Sequence, residues 1–194
     1  MSEFQLFFSL GREHILDVNG YDHILFVIAL AAVYLSTDWK RVLILVTAFT
    51  IGHSITLALV ALDVFSINSS VVEFLIPVTI FITAASNIWR REQYIQAGMS
   101  RLNYYFALFF GLIHGMGFSN YLKGLLGGET SIITQLFAFN LGLEVGQVII
   151  VVVFMGIGYL MNKYISVARK DWILAISSAV AGVAITLMID TKFW

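Results

Sequence analysis

The chain has 194 residues, of which 59% are hydrophobic and 12% charged, with a formal net charge of −1 and no cysteine. An ordinary soluble domain is about half apolar and a quarter charged, so this balance excludes a soluble enzyme, a nucleic-acid binder and a disordered chain. The missing thiols exclude disulfides and thiolate metal sites, and the near-neutral charge names no partner.

Residues 2–16 come first. Phe4, Leu6, Phe7, Phe8 and Leu10 make an apolar segment too short to span a bilayer, and with Glu3, Arg12 and Glu13 there is no basic leader region of a cleavable signal. The segment predicts a helix lying at the membrane interface or dipping into the bundle. Six spans follow, over residues 21–36, 42–62, 70–89, 103–122, 132–161 and 172–189. Residues 42–62, 102–122 and 172–189 hold no charge at all, and Glu144 is the sole charge between Glu129 and Lys163. About 18 such residues suffice to cross a bilayer. The fold class expected is therefore all-α, a polytopic membrane bundle of six transmembrane helices plus the short N-terminal helix, in a single integral membrane domain over residues 1–194.

Pro77, the only proline, falls inside the third span and predicts a kink there. Gly127-Gly128 predicts the turn between the fourth and fifth spans. Trp39, Trp89, Trp172 and Trp194 fall at span ends, where aromatic belts form. Lys40, Arg41, Arg90, Arg91, Arg101, Lys163, Arg169 and Lys170 lie on one side, and Arg12, Lys123 and Lys192 on the other. The positive-inside rule then places both termini outside the cytoplasm, in what reads as a bacterial inner membrane.

Ionisable groups in hydrocarbon are costly unless paired or ligated, so each is a functional candidate. They are few: His14, Asp22 and His23 around the start of the first span, His53 in the second, Glu73 in the third, His114 in the fourth and Glu144 in the fifth. At about 1.5 Å per residue from each outer end, His23 lies roughly 3 Å deep, Glu73 about 5 Å, His114 about 12 Å, His53 about 14 Å and Glu144 about 18 Å. That predicts a descending series in the outer half rather than one level. Asn140, Glu144 and Gln147 share one helix face, as do Thr50, His53 and Ser54. Gly111, Gly115 and Gly117 leave room beside His114 for a neighbouring helix or a ligand. Glu73 and Asp22 also sit near helix starts, where a carboxylate is favourable without any further role. Neutral imidazole with carboxylate suits nickel, cobalt or zinc, and His53 and His114 are expected to meet a common ion.

Gly20-Tyr21-Asp22-His23-Ile24-Leu25-Phe26, Thr47-Ala48-Phe49-Thr50-Ile51-Gly52-His53-Ser54 and Phe110-Gly111-Leu112-Ile113-His114-Gly115-Met116-Gly117 resemble, in order and spacing, blocks of the HupE/UreJ family. The stretch from Asn140 to Gln147 is similar to a fourth block. The resemblance implies a nickel or cobalt permease linked to hydrogenase or urease, with Asp22, His23, His53 and His114 handling metal and Glu144 beside them. The chain departs from nickel-associated members in having no His-Pro pair close before Asp22-His23 and no His-rich loop.

Two functions of different classes follow. In the first, Asp22, His23 and His14 receive a divalent ion, His53 and His114 hold it, and Glu144 passes it inward or carries a coupling proton. No GxxxxGK[ST] motif supplies an ATPase, so transport would be gradient-driven or rely on a homo-oligomer or an accessory partner. In the second, three histidines and an acid form a zinc-dependent intramembrane hydrolase for a lipid-like substrate, with Glu144 as general base. A metal-free proton-linked carrier or sensor ranks third.

Overall fold

The computed structural model describes residues 2–65, 67–96, 102–126 and 132–194. Seven α-helices and one 3-10 turn account for nearly all of them: α1 Glu3–Leu16, α2 Asp22–Ala31, the 3-10 turn Ser36–Asp38, α3 Trp39–Ala61, α4 Ser69–Gln96, α5 Leu102–Leu126, α6 Ile133–Ile165 and α7 Arg169–Asp190. No strand occurs among the described residues. Among the described residues, four segments are long and apolar enough to cross a membrane: residues 36–61, 69–94, 133–165 and 169–190. The turn expected at Gly127-Gly128 lies outside the described residues, as does Arg101.

The first span departs from the sequence expectation. Instead of one helix over residues 21–36, the chain forms a ten-residue helix, α2, that ends at Ala31. Ten residues rise only about 15 Å, half the hydrocarbon thickness. Ahead of α2 in the chain, α1 is packed into the bundle against α6. Ser2 caps it, with the Ser2 hydroxyl accepting from Gln5 N–H and the Gln5 side chain accepting from Ser2 N–H. The capping box closes both ends of the first turn. Phe7, Gly11 and Ile15 form its buried face.

Glycine determines how α1 is seated. A Cβ on Gly11 would overlap the Phe139 carbonyl, and one on Gly142 would overlap the carbonyl of Phe8. The two helices therefore touch backbone to backbone, which side chains on either would prevent. Glu3 sits beside Gln135, Phe4 beside Phe137 and Ile15 beside Gly146, so α1 runs parallel to the first half of α6. Beyond the turn at residues 17–21, α2 carries on toward the far end of α6. The Asn87 amide donates to the Ala29 carbonyl at 2.7 Å, and Arg169, just past the end of α6, donates to the Val33 carbonyl at 2.7 Å.

A second glycine seam joins α3 to α5. A Cβ on Gly52 would overlap the Leu108 carbonyl, one on Gly111 that of Phe49, and one on Gly115 that of His53. Gly111 and Gly115 thus serve close helix approach and leave no ligand space between α3 and α5. Gly117 instead faces Ile76 of α4. The seam holds α3 and α5 in parallel register and brings His53 and His114 to neighbouring positions. α4 runs through Pro77 as a single helix and packs against α7. Proline has no N–H, so the Glu73 carbonyl lacks its helical donor.

Candidate metal centre

Four histidines meet in the core. His14 stands in the last turn of α1 and His23 in the first turn of α2, so the break between these helices delivers two imidazoles to one place. α3 adds His53 and α5 adds His114, both fully buried. Ring centres lie 4.6 Å apart for His14–His23, 5.1 Å for His23–His114, and 6.0 Å for both His14–His53 and His23–His53. The three histidines expected at descending depths, His23, His114 and His53, are gathered here, whereas Glu73 and Glu144 stay outside. Counting depth from each helix's own outer end failed because His23 begins a helix in the middle of the bundle rather than at its surface.

Two sets of potential ligands can be drawn among the described residues. His14, His23 and His53 form one and Asp22, His23 and His114 the other, each offering ligand atoms within 4.8 Å of one another. His23 belongs to both. His53 and His114, expected to share an ion directly, fall in different triads and are linked through it. Glu144 belongs to neither: its carboxylate accepts from the Thr47 hydroxyl at 2.7 Å. One turn further along α3, Thr50 donates to the Gln147 side-chain oxygen at 2.8 Å. The face of Asn140, Glu144 and Gln147 thus continues the polar lining along the seam of α3 and α6. Glu73 stays outside the centre, in a cleft of about 210 Å³ that it shares with Asn19, Asp22 and Pro77. Asp22 alone belongs to both the cleft and the centre.

The hydrogen bonds fix how the imidazoles present themselves. His23 Nδ1 lies 3.0 Å from an Asp22 carboxylate oxygen, which can only accept, so Nδ1 carries a proton and Nε2 is the nitrogen open to a metal. This is the carboxylate–histidine arrangement that orients metal ligands. His114 is fixed by Thr79 of α4, a residue that a search for ionisable groups passes over. The Thr79 hydroxyl donates to the Ile76 carbonyl at 2.7 Å, so its oxygen must accept from His114 Nε2, 3.2 Å away. His114 Nδ1 is left as the donor atom for a ligand.

His14 Nε2, His23 Nε2, His114 Nδ1 and both nitrogens of His53 are buried with no protein hydrogen-bond partner. Each such group costs about 1–3 kcal/mol, and five together rival the net stability of a typical fold, about 5–15 kcal/mol. A divalent cation would satisfy several at once. Phe26 and Phe49 pack on His114, each at 5.1 Å, and Phe118 lies 4.0 Å from His14. Neutral imidazoles with one carboxylate match nickel, cobalt or zinc, the donor set already read from the sequence.

Thr79 offers a direct test of this assignment. Thr79→Val keeps the shape and removes the acceptor, freeing His114 to take the wrong tautomer. Divalent metal affinity measured by titration calorimetry should fall by about 10–100-fold, as for other outer-shell partners, and Thr79→Ser should restore it. Unchanged affinity in Thr79→Val would remove Thr79 from the site.

Fold and centre together define an integral membrane protein with a buried histidine–carboxylate cluster suited to a metal ion. The family model for HupE / UreJ protein matches residues 1–191, and the chain belongs to that family. No curated protein and no solved structure matches the chain.

Proposed function

We propose that this chain is a permease or binding protein for a divalent transition metal, with nickel or cobalt as the ion in keeping with its family. In this reading it crosses a bacterial inner membrane six times as one integral domain. α1 and α2 together make the first crossing, rising about 21 Å and 15 Å against a hydrocarbon core of about 30 Å. Both termini lie outside the cytoplasm. Cysteine labelling in this cysteine-free chain tests the topology: Ser2→Cys should react from outside and Asp38→Cys only from the cytoplasmic side. Reaction of Ser2→Cys from the cytoplasm alone would invert the assignment.

The observation that carries the reading is that His23 is common to two overlapping triads. An ion captured in the cleft by Asp22 and Glu73 first meets Asp22, His23 and His114. It can then pass to His14, His23 and His53 without leaving His23, one ligand exchanging at a time. Adjacent weak sites suit conduction, because an ion must also leave. Beyond them, the Thr50–Gln147 and Thr47–Glu144 pairs continue the polar lining, and Glu144 passes the ion on or carries a coupling proton.

One observation favours the second reading, a zinc-dependent hydrolase of a lipid-like substrate. The histidines converge on one level and His23 is oriented by a carboxylate, as at catalytic zinc. Against it, Glu144, the general base that reading needs, is held by Thr47 and belongs to neither triad.

Uptake of Ni²⁺, Co²⁺ and Zn²⁺ into proteoliposomes, with elemental analysis of the purified protein, separates the two. The permease should accumulate ion, and Glu144→Gln should keep bound metal while flux falls. Stoichiometric zinc that does not exchange, no uptake, and a lipid-hydrolysis rate lowered about 10²–10⁴-fold in Glu144→Gln would establish the hydrolase instead.

A further inference from the structure

The opposite end of the bundle carries a cleft of about 330 Å³ between residues 34–37, the end of α6 and the start of α7. Lys163 and Arg169 line it, and among the described residues no carboxylate does. Ser36, Thr37 and Asn162 add neutral polar groups. Arg169 is fixed at the rim by its 2.7 Å hydrogen bond to the Val33 carbonyl, while its Nε, buried, has no protein acceptor. A guanidinium held by one edge with a donor left over is arranged to receive an anion.

The start of α7 adds to this. Ala168 precedes it and supplies no side-chain cap. The Asp171 and Trp172 N–H groups both bond the Ala168 carbonyl, so those of Arg169 and Lys170 have no acceptor within the helix. Uncapped helix N–H groups favour negative charge. Asp171 lies in the same turn but is exposed and does not line the cleft.

The geometry points to a phosphate-binding site filled from the bilayer, by the headgroup of an anionic phospholipid. Three features favour a lipid over free phosphate. Trp172 and Tyr159 stand in the wall, and such aromatics mark the level of headgroups. Met155 and Gly158 extend the wall along α6 in the apolar direction. Val152, one turn before Met155 on the same side of α6, is exposed where an acyl chain would lie. Basic pockets between transmembrane helices are the usual form of such sites. The inference concerns the far end of the bundle from the cleft of Asp22 and Glu73 and does not depend on the metal reading.

Thermal unfolding of the full chain in nanodiscs tests it, with phosphatidylglycerol against phosphatidylcholine, and phosphatidylcholine with millimolar inorganic phosphate as the third arm. Phosphatidylglycerol should raise the midpoint by about 5 °C over phosphatidylcholine, a shift of the size expected for a saturated ligand. Lys163→Gln and Arg169→Gln should each abolish most of that difference. Arg169 also anchors Val33, so each variant is read as its own difference between lipids, and Lys163→Gln leaves the anchor untouched. Equal midpoints in the two lipids, or a full lipid difference in both variants, would overturn the site. An equal shift from inorganic phosphate alone would overturn the lipid as its ligand.

Discussion

Replacing His23 with alanine is expected to abolish metal binding almost completely. Even outer-shell changes around a metal cost about 10–100-fold in affinity, and His23 is the residue common to both candidate triads. The loss in His23→Ala should therefore exceed about 100-fold. His53→Ala and His114→Ala each break one triad and leave the other with its full set, so each alone should cost less. The double variant His53→Ala/His114→Ala should approach His23→Ala, because residues acting through a shared partner are not additive. Equilibrium dialysis with Ni²⁺, Co²⁺ and Zn²⁺ reads all four proteins. Binding in His23→Ala equal to that of the parent would show that the two triads do not work through a shared ligand.

The second large effect is expected from the glycine seams, and it concerns stability. In Gly142→Leu the new side chain meets the Phe8 carbonyl and the Arg12 amide nitrogen of α1. Backbone cannot rotate away as a side chain can, so α1 must move off α6. Overpacking costs about 1–3 kcal/mol and more where the obstacle is rigid. For a chain of this length that lowers the unfolding midpoint by several degrees, at about 2–4 °C per kcal/mol. Gly111→Leu should act alike at the seam of α3 and α5, where Phe49 and His53 stand in the way. Gly182→Leu is the control, since a Cβ there meets nothing within 4 Å. Metal binding should fall with Gly142→Leu as well, because α1 carries His14 away from the cluster. A midpoint for Gly142→Leu equal to that of Gly182→Leu would contradict the backbone contact.

Four of the long helices were legible from apolar runs holding at most one charge. Residues 42–62, 70–89, 132–161 and 172–189 fall on α3, α4, α6 and α7, because charged residues bracket each run. The first span was not legible. Hydropathy averages over residues 21–36 and cannot register that the helix stops at Ala31, nor that a 14-residue segment containing Arg12 and Glu13 is buried along one face. The members of the cluster were legible as misplaced ionisable groups. Their meeting at one level was not, since it depends on where α1 ends. Thr79 carries no charge and attracts no notice in a sequence. Only its distance to His114 and its bond to Ile76 give it a role. Glu144 was conspicuous for its depth, yet depth does not reveal that Thr47 holds its carboxylate.

The break between α1 and α2 also shapes the field at the cluster. Peptide dipoles in a helix sum to roughly half a negative charge at its C-terminal end. α1 ends at Leu16, two residues beyond His14, and its last carbonyls have no helical donors. A helix that ran through the bundle unbroken would present that end only at the surface. Here it is delivered to the level of the imidazoles, where the surrounding medium screens it weakly. The opposing positive end, at the start of α2, is neutralised on the spot by Asp22, whose carboxylate accepts from the His23 N–H at 2.9 Å. What remains is a net negative potential at a set of uncharged nitrogens. The centre is thereby biased toward cations by the C-terminal end of α1 together with the half-buried Asp22 carboxylate.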